Sequence, residues 1–217
     1  MRFEALVKGV WVLILAFAAG TGHAATKQER LLVLGDSLSA AYGLDVSEGW
    51  VVQLTERLAP REIEVINASI SGETTSGGLS RLPRLLERHD PQWVLVELGA
   101  NDGLRGLPLD AIRQNLLTML NQVSESGARP ILIGIMLPPN YGPMYADGFA
   151  RMFAEIAEAE SVPLVPFLLE GVATDRQLMQ DDGLHPTAEA QPILFKNVWA
   201  VIEPLITAGT NPATGSD

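Results

Sequence analysis

The chain contains no cysteine. That absence excludes disulfides, thiolate metal ligands and cysteine nucleophiles. A domain of this length can hold a core without crosslinks, so the absence does not argue against export. Histidine is nearly as scarce: of 217 residues only His23, His89 and His185 carry an imidazole, so any reaction needing one has few candidates. Basic residues are short too, 15 against 26 acidic for a net charge of −11. A surface that tracks phosphates needs a basic face, so no nucleic-acid partner is expected. A phosphate loop of the form G-x-x-x-x-G-K-[ST] is also missing. The sole G-x-G-x-x-[GA] match, Gly20 to Ala25, lies almost wholly within an N-terminal leader rather than between a strand and a helix. What is present, 47% hydrophobic and 19% charged residues, is the balance of a globular domain with a real core.

Long apolar runs are equally rare. Val10 to Ala19 is unbroken, preceded by Arg2 and Lys8 and followed by Gly22-His23-Ala24. A positive start, a short apolar stretch and small residues at the cleavage positions predict a secretory signal peptide over residues 1–24, cut after Ala24. The competing reading is a retained anchor. A spanning helix needs about 20 apolar residues, and this run stops at Gly20. The expected product is a periplasmic or secreted protein with no stable membrane insertion, a single domain over residues 25–207 and a flexible tail over 208–217.

Short apolar runs then alternate with amphipathic stretches. Arg30 to Leu34, Glu62 to Ile66, Trp93 to Leu98, Ile131 to Ile135 and Pro163 to Phe167 read as strands. Helical spacing marks Trp50 to Leu58, Leu79 to Arg88, Leu109 to Ser124, Gly148 to Glu160 and Ala188 to Ile206, with Ser71 to Gly78 as a loop. This order implies βαβ units, a mostly parallel sheet and helices on both faces. Ligands of such sheets sit beyond the carboxyl ends of the strands.

Three of those strand ends carry polar residues. Ser37, in Gly35-Asp36-Ser37-Leu38-Ser39, follows the first strand at a turn toward a helix. Alone it reads equally as a turn or capping serine, and the elbow G-x-S-x-G is absent because Ser39 replaces its second glycine. A serine nucleophile needs a base, and the base needs an orienting acid. Asp182-Gly183-Leu184-His185-Pro186 offers both, the three-residue offset letting the carboxylate curl back to one imidazole nitrogen. Asp181 lacks that offset and reads as a solvated turn residue. His89, in Glu87-Arg88-His89-Asp90, reads as part of a solvated helix end. Acyl transfer also needs donors aimed at the oxyanion. Gly72, after the second strand, offers an unshielded backbone N–H, and Asn101, after the third, a side-chain amide.

Gly35-Asp36-Ser37-Leu38-Ser39, Gly72, Gly99-x-Asn101-Asp102 and Asp182-x-x-His185 resemble, in order, the four sequence blocks of the SGNH/GDSL hydrolase family. The likeness runs from about Leu31 to Leu205. Ser69 to Thr75, Leu137 to Gly142 and Asp182 to Pro186 are similar to its bacterial thioesterase I/lysophospholipase L1/arylesterase branch. The resemblance implies a flavodoxin-like three-layer α/β/α sandwich with a five-stranded sheet. It implies a serine hydrolase of carboxylic esters and thioesters that needs no metal and no cofactor. Ser37 is then the nucleophile, His185 the base and Asp182 its orienter. The Ser37 and Gly72 N–H groups and the Asn101 amide form the oxyanion hole.

Apolar residues after the third and fourth strands, Leu104, Leu137, Pro138, Tyr141 and Tyr145, are candidate contacts for an acyl or aryl group. Each reads equally as a cap on the local core. The expected partner is a small-molecule or lipid acyl ester or thioester bound by a monomer. Two other readings are a carbohydrate O-deacetylase of the same family and a non-catalytic exported binding module. The second would leave one of Ser37, Asp182 and His185 replaced, and all three are intact.

Overall fold

A computed structural model describes residues 28–209; the leader expected over residues 1–24 and most of the tail expected over 208–217 lie outside that range. Five strands, β1 (Arg30–Gly35), β2 (Glu64–Asn67), β3 (Trp93–Glu97), β4 (Arg129–Ile133) and β5 (Leu164–Val165), form one sheet in the order β2-β1-β3-β4-β5. Every pairing is parallel, with Leu31 beside Val65 and Trp93, and Leu95 beside Ile131.

Period-two alternation sends successive strand residues to opposite faces, and here both faces are apolar. Leu31, Val33, Leu95, Ile131 and Ile133 pack on one side with α1 (Trp50–Leu58) and α6 (Gln191–Gly209). Leu32, Leu34, Val94, Val96 and Leu132 pack on the other with α2 (Thr75–His89), α4 (Leu109–Glu125) and α5 (Pro143–Glu160). The result is the expected three-layer sandwich with a wholly parallel sheet. Burial of each such Leu or Ile stabilises it by about 1.5–3 kcal/mol.

Several boundaries differ from the sequence reading, each for a local reason. Helix α2 starts at Thr75, inside the stretch expected to be loop, because Thr74 caps it by accepting from the Gly77 N–H at 3.1 Å. A Cβ on Gly78 would sit 2.2 Å from Leu98 Cδ1, so this glycine lets the helix lie close on the sheet. Strand β2 starts two residues late because Glu62 closes a 3₁₀ turn in the left-handed region. Strand β4 begins at Arg129 and ends at Ile133 rather than running on to Ile135, and β5 is two residues long. Helix α5 begins at Pro143, a residue suited to a first helical turn. The last helix is preceded by a separate 3₁₀ turn, Ala188–Ala190. A five-residue helix α3 (Ala100–Leu104) was not expected at all.

The strand order reverses between β1 and β3. Chain leaving β1 turns to β2 at one edge, and the crossover through α2 returns to β3 on the other side. The crevice beyond that point is where such sheets bind ligands.

Candidate active site

The turn after β1 is built to fix Ser37. Asp36 O accepts the Ala40 N–H at 3.0 Å, and Asp36 Oδ1 accepts the Leu38 N–H at 3.0 Å. Gly35 is required for space: a Cβ there would lie 2.7 Å from Glu97 Oε2 and 2.8 Å from Ser39 Cβ. The Ser37 hydroxyl meets His185 Nε2 at 2.9 Å.

His185 comes from the segment between β5 and α6. His185 Nδ1 lies 2.6 Å from Asp182 Oδ2. Asp182 Oδ1 accepts the N–H groups of Leu184 at 2.9 Å and His185 at 3.0 Å. Gly183 adopts φ +67°, the left-handed conformation that lets the chain fold back within three residues. Below it, Met179 and Pro186 pair as an antiparallel bridge, and the Gln180 N–H donates to His185 O at 2.7 Å. Gln180 Nε2 also donates to Tyr42 O at 2.8 Å, and the Tyr42 ring sits 4.3 Å from the imidazole. The His185 imidazole is thus held against the Ser37 turn from two sides.

Burial pushes the Asp182 pKa up, but hydrogen bonds from the His185 ring and from the Leu184 and His185 N–H groups outweigh it, and the net shift is downward. Asp182 therefore stays ionised beside the imidazole. Asp181 is exposed. The His89 carbonyl receives Arg30 Nη1 at the N-terminal end of β1, the opposite end of the sheet from Ser37.

Asn101 stands in the first turn of α3, its Nδ2 donating to Asp36 Oδ2 at 3.0 Å. Its neighbour Asp102 points the other way, receiving the Thr75 N–H at 2.8 Å and the Thr75 hydroxyl at 2.6 Å. The α3 turn is thereby locked to the start of α2. Gly72 has φ +79° with open space where a Cβ would be, and its carbonyl accepts from Arg105 at 3.3 Å. Among the described residues, neither the Ser37 nor the Gly72 N–H donates to another group.

Ser37, Asn101, Leu104, Leu137, Pro138 and His185 line one crevice of about 390 Å³, and Asp182 sits behind His185. Gly72 stands on the neighbouring loop and is not part of that lining. Tyr141 and Tyr145 stand outside that crevice. They line a separate hollow with Leu109 and Met144, and their hydroxyls donate to Leu104 O at 3.0 Å and Leu107 O at 2.6 Å. A phenol on an apolar loop needs a partner for its O–H; here both find carbonyls on the α3–α4 connection, which they brace from outside. The crevice is completed instead by Leu38, Met136 and, beyond β5, Phe167, Leu169 and Met179. An apolar stretch running past a two-residue strand was the available signal for the last three.

Sequence reasoning also missed the buried acids behind Ser37. Burial raises the Asp36 pKa to about 6, against the pull of its hydrogen bonds from Leu38 and Asn101 and of the nearby His185 charge. Glu97, fully buried, is held well above the usual carboxyl range by burial and by the adjacent Asp36 charge. An acid raised on folding adds stability that is complete below its unfolded value and lost as pH climbs through its folded value. For Asp36 the window runs from 3.8 to about 6. Raising the pH from 4 to 8 is expected to cost the parent more stability than it costs Asp36→Asn, which has no acid to ionise at that position. Turnover is expected to drop, because Asn has one acceptor oxygen for the two donors Asp36 now serves. Thermal unfolding at the two pH values, with turnover measured alongside, checks this.

The model of the GDSL-like lipase/acylhydrolase family matches residues 33–192. The chain is 51% identical over 180 residues to Esterase TesA of Pseudomonas aeruginosa, covering 82% of this chain and 90% of that protein. It is 42% identical over 196 residues to Thioesterase 1/protease 1/lysophospholipase L1 of Escherichia coli strain K12, covering 90% of this chain and 94% of the relative. A crystal structure of TesA superposes with a TM-score of 0.79 at 51% identity, over 82% of this chain and 99% of that one.

Proposed function

The chain belongs to the GDSL-like lipase/acylhydrolase family, and on that premise we propose that it hydrolyses carboxylic esters and thioesters through an acyl-enzyme formed on Ser37. The observation that carries this reading is the Ser37–His185–Asp182 relay, at 2.9 and 2.6 Å, on the edge of an apolar crevice. Ser37 Oγ attacks the carbonyl carbon as His185 Nε2 takes its proton, and Asp182 stabilises the imidazolium. The Ser37 and Gly72 N–H groups and the second Nδ2 hydrogen of Asn101 receive the oxyanion. Collapse expels the alcohol or thiol, protonated by His185. Water then gives its proton to the same nitrogen, attacks the acyl carbon and releases the acid.

An apolar lining suits an acyl chain or aryl group. It disfavours the O-deacetylase reading, since sugar hydroxyls set against Leu104, Leu137 and Phe167 would lose their hydrogen bonds. The relatives named above support the ester and thioester scope. For the protein in the cell, the leader expected over residues 1–24 supports export to the periplasm or beyond. Among the described residues no helix is long and apolar enough to cross a membrane.

The test is a panel of p-nitrophenyl esters of two to twelve carbons, acyl-coenzyme A, lysophospholipid and an acetylated sugar. Turnover of medium-chain esters and of the thioester is expected, and Asn101→Ala should lower kcat about 10²-fold by removing one oxyanion donor. Turnover confined to the acetylated sugar, or an undiminished Asn101→Ala variant, would overturn the reading.

A further inference from the structure

Among the described residues six polar side chains are buried, and three of them, Asp36, Ser39 and Glu97, meet directly behind the Ser37 turn. Glu97 ends β3, and its Oε2 accepts the Ser39 hydroxyl at 2.7 Å and the Asp36 N–H at 3.2 Å. Its Oε1 is buried with no partner among the described residues. No arginine or lysine ion pair among the described residues reaches either acid. The other ionisable groups acting on the pair are Asp102, from α3, and His185, across the crevice.

Two carboxyls this close and this buried do not both ionise, so the pair holds one proton between them. The hydrogen bonds decide where it sits. Both Asp36 oxygens receive donors, Leu38 N–H on Oδ1 and Asn101 Nδ2 on Oδ2, and these favour its charged form. Glu97 Oε1 receives none. A proton there leaves one hydrogen bond unmade, whereas a charge there leaves a buried carboxylate without solvation, which costs more.

Resting on the reading of Ser37, His185 and Asp182 as the acyl-transfer centre, we propose that Glu97 is a positioning residue for it. As a neutral acid, Glu97 holds the Ser37 turn through Ser39 and the Asp36 N–H. By carrying the pair's proton it leaves Asp36 charged, and the Asp36 carboxylate orients the Asn101 amide. The bare acceptor function is shared by glutamine, which cannot ionise. The need is therefore for a neutral acceptor of this shape, and charge on residue 97 is of no use.

The experiment compares Glu97→Gln, Glu97→Ala and Ser39→Ala in kcat and KM on a p-nitrophenyl ester, with fluorophosphonate labelling of each variant and of the parent. Glu97→Gln should keep kcat within about threefold of the parent. Glu97→Ala should lose about 10²-fold in kcat with KM within about threefold, and its labelling should slow in parallel. Ser39→Ala, which removes one bond and leaves the acid in place, should lose about tenfold in kcat. A folded Glu97→Ala protein with parental kcat would reduce the residue to a structural filler and overturn the proposal. So would a Glu97→Gln protein as impaired as the alanine variant, since charge would then be needed. If Glu97→Ala does not fold, an unimpaired Ser39→Ala protein is the contrary result. A parent protein that turns over esters but resists labelling would instead indict Ser37, and the Glu97 proposal would fall with it.

Discussion

Ser37→Ala is expected to abolish ester turnover, with kcat falling by about 10⁴- to 10⁶-fold, while the protein remains folded. The size of the loss comes from what the hydroxyl does. No other nucleophile among the crevice-lining residues lies within hydrogen-bond reach of the His185 imidazole, since its second nitrogen is taken up by Asp182. Without Ser37 Oγ, His185 has only water to activate, and the acyl-enzyme route is closed. The residual rate reports the crevice and the oxyanion donors alone. Stability should hardly change, because the hydroxyl makes one bond, to His185, and the surrounding turn is held by Asp36, Leu38, Ala40 and Glu97. A melting temperature within about 5 °C of the parent, together with loss of p-nitrophenyl ester turnover, is the expected pair of results.

Asp182→Asn is expected to lower kcat by about 10³- to 10⁴-fold with KM little altered. Asp182 accepts three donors at once: the imidazole Nδ1–H on one oxygen and the Leu184 and His185 N–H groups on the other. An asparagine keeps one acceptor oxygen. If that oxygen serves the backbone pair, its NH₂ faces Nδ1 and forces the imidazole proton onto Nε2, the nitrogen that must receive the serine proton. If it serves the imidazole, the turn that carries His185 loses both of its anchors. Either outcome disables the base without emptying the crevice. The lowered pKa of Asp182 adds a pH dependence: an acid lowered on folding contributes above its unfolded value, and that contribution disappears as pH falls through the folded one. The contribution is therefore intact at neutral pH. Steady-state kinetics of Asp182→Asn between pH 6 and 9 should show a depressed plateau. A plateau within tenfold of the parent would remove Asp182 from the relay.

The residues that the structure brings together at the crevice were legible because chemistry and topology point to the same place. Ser37 and Asn101 each follow an apolar run that ends abruptly, and a parallel sheet gathers such ends at one edge. Asp182 and His185 were legible through their spacing, which matters because Gly183 lets the chain reverse between them. Elements with a strong period were equally clear: α1 runs over the residues its spacing predicts, and α4 differs by one at its end. Helix α3 was not legible because five residues carry no periodicity; β5 falls within the strand read over Pro163 to Phe167, and only its two-residue extent was not legible. The placing of Tyr141 and Tyr145 was not legible, because an apolar loop residue can face a crevice or brace it from outside; the choice depends on which carbonyls lie within reach of the hydroxyl. Glu97 was hidden by its strand. A single acid within the strand Trp93 to Leu98 carries no sign of its surroundings, and its burial follows only from β1 lying alongside, Gly35 paired with Glu97.

The proposed acyl acceptor is Ser37 Oγ, and intact-mass analysis with peptide mapping after reaction with a fluorophosphonate reads that residue directly. One adduct per chain is expected, carried on the peptide containing Ser37, appearing in step with loss of ester turnover and absent from Ser37→Ala. An adduct on any other residue, or ester turnover that persists once Ser37 is fully modified, would contradict that proposal.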